Sequence, residues 1–141
     1  MLKAQTAWTS MIYLYPLRKF AMIVGDKCIV TKQITNADIK RFIEISGDSN
    51  PIHRQGENSI VHGAYLNALV SSVIGTKLPG PGSLLISQTS TFPKKCFSGE
   101  VINITVEVLE LRKIITVGYS CKVEDLNKVV LHGTAKLMLN K

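Results

Sequence analysis

A chain of 141 residues that is 45% hydrophobic and 19% charged is long enough to bury one core and too apolar to stay disordered. Its net charge of +7 suits acidic ligands such as phosphates, yet the basic residues are scattered, aromatics are only 6%, and no Arg-rich run or aromatic–basic alternation points to nucleic acid. No apolar run reaches the ~18–20 residues of a membrane span, and Cys28, Cys96 and Cys121, with no CxxC pair, read as reduced and buried rather than as a zinc or redox centre.

The start, MLKAQTAWTSMIYLYPLRKF, carries Lys3, Arg18 and Lys19 and no acid; the first acidic residue is Asp26. Such a basic, acid-free, Ser/Thr-containing start predicts a mitochondrial targeting segment over 1–25 and a matrix location, with one folded domain over 26–141.

KCIVTKQIT then reads as a strand. TNADIKRFIEISG reads as a short helix with Thr35 as N-cap, Asp38 in its first turn, Ile39, Phe42 and Ile43 on one face, and Gly47 as its stop. IVHGAYLNALVSSVIGTKL is apolar nearly all round, which predicts a buried helix ending at Gly75, and LPGPG breaks the chain after it. SLLISQTSTF, VINITVEVLELRK, IITVGYSCKVE and KVVLHGTAKLML read as strands, with EDLNK as a hairpin turn. In the second of these, Ile102, Ile104, Val106 and Val108 alternate with polar neighbours, the period of a half-buried strand. The fold class is α+β: an antiparallel sheet wrapped around one central buried helix. The open edge of so small a sheet predicts a homodimer.

Between the two predicted helices stands SGDSNPIH, Ser46 to His53. Asp, Asn, Gly and Pro are turn formers, and an Asx-turn from Asp48 to Asn50 would account for them. The same bend would also aim a carboxylate, Asp48, and an imidazole, His53, at one molecule, as general acid–base chemistry requires. Both readings stand at this point. His62 reads as a residue that orients its loop or bonds the backbone, and His132 as structural. Asp48, His53 and His62 could ligate a metal by residue type, but their spacing fits no zinc pattern. PGPG lacks a following Lys-Ser or Lys-Thr and reads as a turn, not a phosphate cradle.

SGDSNPIH, IVHG, GTKLPGPG, SQTSTF and SGE together resemble the MaoC-like hot-dog dehydratases and (R)-specific enoyl-CoA hydratases, from about Ile34 to the end of the chain. With its transit-like start, the chain is most similar to mitochondrial members of that family that serve fatty acid synthesis. The resemblance implies a single hot-dog fold, a homodimer, a substrate carried as a thioester on acyl carrier protein or CoA, and no metal or other cofactor. It implies reversible dehydration of (R)-3-hydroxyacyl thioesters to trans-2-enoyl thioesters. Asp48 and His53 match the family's catalytic pair, and Asn50 the neighbour that supports it and the substrate site by hydrogen bonding. Gly63 matches the position whose N–H faces the thioester oxygen. Gln88 and Ser87 either line an acyl tunnel, as the family's strand does, or are polar residues on a strand face.

The residue types suit that reaction. A proton leaves C2, hydroxide leaves C3, and an enolate oxygen develops that the N–H groups of a helix start can stabilise. One departure stands out: only RQGENS separates NPIH from IVHG, short of the family's usual spacing by about two helical turns. The short link also keeps open a catalytically impaired acyl-binding hot-dog protein, and a hot-dog thioesterase is a further alternative.

Overall fold

The computed structural model describes residues 21–140, so most of the expected targeting segment, residues 1–20, lies outside the described residues. The elements run β1 (Lys27–Gln33), α1 (Asn36–Ser46), short 3-10 turns at Pro51–His53 and Gly56–Asn58, then α2 (Gly63–Thr76) and β2 (Ser83–Thr91). β3 (Val101–Leu111), β4 (Ile115–Val123), a 3-10 turn at Glu124–Leu126 and β5 (Lys128–Leu139) follow. All strand pairs are antiparallel, in the order β1-β3-β4-β5-β2.

The period of two in β3 decides which face is core. Ile102, Ile104, Val106 and Val108 are 0–2% exposed. Val117 and Cys121 of β4 and Ala135 and Leu137 of β5 belong to the same core. Leu66, Val70, Val73 and Ile74 of α2 are buried in it too, each contributing about 1.5–3 kcal/mol. Placing a charge at Val70, which is 0% exposed, would break the helix–sheet contact.

Two expectations need correction. α2 is buried on one face only: Ala64, Ala68, Ser71 and Ser72 are exposed, because one sheet can cover only one side of a helix. The helix also passes Gly75 and ends at Thr76, where the Lys77 N–H still reaches the Val73 carbonyl. The break comes at PGPG, where Gly82 sits at φ +91° and a Cβ would lie 2.7 Å from the Asn140 carbonyl oxygen.

β2 is an edge strand with three consecutive exposed apolar residues, Leu84, Leu85 and Ile86. The three cysteines are free. Burial pushes the Cys96 and Cys121 thiols up to about 12, with Glu100 adding to the effect at Cys96.

Candidate active site

The site begins with the way α1 is held. Thr35 accepts a hydrogen bond from the Asp38 N–H, and Asp38 accepts one from the Thr35 N–H, a complete capping box. Burial opposes the Asp38 charge, but the Thr35 N–H and Lys32 outweigh it and hold the carboxyl below its ordinary value. At the other end Gly47 takes φ +74° and turns the chain out of the helix.

The next residues form a relay of small turns. Asp48 Oδ1 accepts from the Asn50 N–H at 3.2 Å, and Asn50 Oδ1 accepts from the Ile52 N–H at 3.4 Å. Asn50 thereby caps the Pro51–His53 turn, where Pro51 needs no N–H partner. The Asx-turn and the paired arrangement therefore both hold. Asp48 uses one carboxylate oxygen for the turn, while its other, Oδ2, lies 3.8 Å from His53 Nε2.

The short link closes this bend rather than pulling it apart. Ser59 Oγ accepts from the Gln55 N–H at 2.8 Å, and the Ile60 N–H returns to the Ile52 carbonyl at 2.9 Å. Ile60 then bridges to Phe97 in the loop before β3. Its carbonyl accepts from His53 Nδ1, which leaves the Nε2 lone pair of a neutral ring facing Asp48. His53 is 7% exposed, whereas the Asp48 side chain is half open at 52%. Ile45 and Ile52 beside this bend are exposed at 84% and 40%.

His62 joins the pair to α2. Its ring stacks on His53 with centroids 3.5 Å apart and planes at 19°. Its Nε2 lies 3.1 Å from the Asp48 carbonyl oxygen, the backbone bond expected of it. Gly63 follows as the first residue of α2. The Tyr65 and Leu66 N–H groups both reach the His62 carbonyl, at 3.0 and 3.1 Å. Among the described residues, no protein acceptor meets the Gly63 and Ala64 N–H groups, so two oriented donors are left at the helix start. A Cβ on Gly63 would stand 3.0 Å from Cε1 and Cζ of Phe92, which therefore sets how close anything can come to this end.

Donor atoms of Asp48, His53 and His62 lie within 4.8 Å of one another. They do not gather around one point, however. Lone pairs lie in the plane of an imidazole, and two nearly parallel rings aim theirs side by side. One nitrogen of each ring is also committed to a backbone carbonyl.

No family model matches the chain. The 3-hydroxybutyryl-CoA dehydratase of Methylorubrum extorquens is 39% identical over 129 residues, covering 84% of this chain and 81% of that protein. The chain belongs to the MaoC-like hot-dog hydratases and dehydratases. The solved (R)-hydratase from A. caviae, involved in PHA biosynthesis, superposes with a TM-score of 0.78 at 30% identity, over 85% of this chain and 98% of that one. A mitochondrial 3-hydroxyacyl-acyl-carrier-protein dehydratase of Arabidopsis thaliana is 28% identical over 134 residues, 86% of this chain and 80% of that protein. The 129 aligned positions of the first relative exceed 84% of 141 residues. That relative thus carries residues opposite gaps in this chain.

Within this MaoC-like chain, the structure brings together Asp48, His53 and, through His62, the start of α2. Asn50 is exposed, and its side-chain oxygen accepts from the Ile52 N–H, which leaves its amide NH2 for other partners. Gln88 faces α2, donating to Asn67 Oδ1 at 3.2 Å, and Ser90 donates to the same oxygen at 2.8 Å. His132 is exposed on the opposite face of the sheet, away from α2. Residue type carries no signal for the Ile60 carbonyl, a main-chain group, or for Phe92, an aromatic in a strand-end position.

Proposed function

We propose that this hot-dog protein reversibly dehydrates (R)-3-hydroxyacyl thioesters to trans-2-enoyl thioesters. One observation carries the reading. A buried imidazole with its free nitrogen facing a carboxylate stacks on His62, the residue before a helix start where the Gly63 and Ala64 N–H groups meet no protein acceptor among the described residues. His53 Nε2 takes the proton from C2, the C2–H electrons form the double bond, and the C3–O bond breaks. The proton that His53 took from C2 passes to the departing oxygen, which leaves as water held by Asp48. In the reverse direction Asp48 and His53 position and deprotonate the water that adds at C3. The two groups are close enough to exchange parts of these roles. The Gly63 N–H faces the thioester oxygen and stabilises the enolate charge that develops there. Asn50 shapes the turn that carries His53 and supports the pair and the substrate by hydrogen bonding. Neither a metal nor another cofactor takes part.

The carrier is CoA or an acyl carrier protein. The acid-free start and the similarity to a plant mitochondrial dehydratase support a matrix enzyme of fatty acid synthesis. The exposed apolar edge of β2 supports a homodimer. A second reading, an acyl-binding protein with impaired turnover, is favoured by the short link and by the half-open Asp48 and bare Ile45 beside it.

Incubating the protein with crotonyl-CoA and following loss of the enoyl absorbance tests the proposal. Turnover that disappears in Asp48→Asn and His53→Ala supports it. Release of free CoA means a thioesterase instead. Binding without turnover means the impaired form. A fluorescent fusion of residues 1–25 that stays cytosolic would remove the matrix assignment.

A further inference from the structure

The hydratase reading above leaves one buried histidine without a task, His62. It is 1% exposed, and its ring lies between Phe42 of α1, edge-on at 4.8 Å, and His53, stacked at 3.5 Å. Its Nε2 lies 3.1 Å from the Asp48 carbonyl oxygen. A carbonyl only accepts, so Nε2 carries the hydrogen. Its Nδ1 is buried with no hydrogen-bond partner among the described residues. A second proton on that nitrogen would be a buried charge with no acceptor, pressed against a ring that itself charges in turnover.

We propose that His62 is a positioning residue: its N–H pins the backbone of Asp48, and its stacked ring seats the His53 imidazole and supports the charge His53 takes up from C2. A neutral π face attracts a stacked cation, whereas a charged one would repel it. One side chain thus fixes both members of the acid–base pair and, being the residue before Gly63, ties them to the helix start. The titratable groups facing the stack are Asp48 and His53. From α1 the facing ring is Phe42, and behind it Tyr65 of α2 has its hydroxyl pushed up to about 12 by burial and Asp38, so it stays neutral.

This deepens the hydratase reading and rests on it for its kinetic part; its spectroscopic part does not need turnover. His62→Phe keeps a ring to stack and loses the N–H, while His62→Gln keeps an amide N–H and loses the ring. Each variant lowers kcat on crotonyl-CoA by about 10- to 100-fold, with KM held within about threefold. In ring-nitrogen NMR of the wild type at one fixed pH, His62 carries its hydrogen on Nε2 and His53 carries its hydrogen on Nδ1, and both variants change the His53 tautomer signals. Wild-type kcat with unchanged His53 signals overturns the inference, as does a His62 whose hydrogen sits on Nδ1. Lost kcat that tracks lost thermal stability, with the His53 signals unchanged, reduces His62 to a structural part and overturns it as well. A wild type that never hydrates crotonyl-CoA removes the hydratase reading, while the NMR outcome still decides the stack.

Discussion

His53 Nε2 faces Asp48 Oδ2 across 3.8 Å. That is beyond a direct hydrogen bond, and it leaves room for one oxygen to bond both groups at once. On the proposed reaction, the oxygen that belongs there is the substrate's C3 hydroxyl or the water that replaces it. Asp48→Asn and His53→Ala should each lower crotonyl-CoA hydration by about 10²- to 10⁴-fold. Because the Asp48 side chain is half open to solvent, Asp48→Asn should leave the melting temperature nearly unchanged, so the rate and the stability measurements separate.

Gly63→Ala tests the helix start. Alanine favours a helix interior over glycine by about 1 kcal/mol, and a first helical position such as Gly63 gains less than that. Against this, the new Cβ would stand 3.0 Å from the edge of Phe92, a ring 45% exposed and able to shift. The two effects nearly offset, so thermal denaturation should change little. Activity should fall by about 10- to 100-fold, since the methyl and the displaced ring crowd the thioester oxygen. Full activity in Gly63→Ala would mean that the thioester does not sit at this N–H.

Much of this arrangement was legible in the residues because local rules fix it. Thr35, Asp38 and Gly47 bound α1 through caps that depend only on neighbours. Ile102 to Val108 mark the core face because alternate strand residues must point the same way. Asp48 and His53 meet because a Gly-Asp-Ser-Asn-Pro string can hardly do other than turn. What stayed hidden depends on contacts distant in sequence. The His53 tautomer is set by a carbonyl seven residues on, and the freedom around Gly63 by a ring at residue 92. Burial of α2 was over-read, because hydropathy counts apolar residues but not how many surfaces are available to cover them.

The capping box gives a pH dependence. Asp38 has its carboxyl held below the ordinary 3.8 in the folded protein, so it is bound more tightly as the anion than it is in the unfolded chain. Its contribution is present above the unfolded value and is lost as pH falls through the folded one. The difference in unfolding free energy between wild type and Asp38→Asn should be constant near neutrality and should close below about pH 3.8. Thr35→Ala removes the other half of the box and should cost about 1 kcal/mol near neutral pH. An Asp38→Asn difference that grows on acidification would contradict the assignment.

The edge of β2 bears on the proposed homodimer. Leu84, Leu85 and Ile86 are exposed at 58%, 45% and 51%, although neighbours in a strand point to opposite faces. An edge strand apolar on both faces, with one row of its backbone groups unpaired, is a liability that a monomer would blunt with charge. A second copy paired along β2 would cover the backbone row and both faces together. Ile86→Lys should therefore shift the sedimentation of the protein toward the monomer, and Leu84→Lys should act in the same direction from the opposite side of the bulge between Leu85 and Ser87. A lysine on β5 away from this edge, at the exposed Thr134, should leave assembly unchanged. Wild-type protein that sediments as a monomer at micromolar concentration would end the pairing, and the exposed edge would then belong to some other contact.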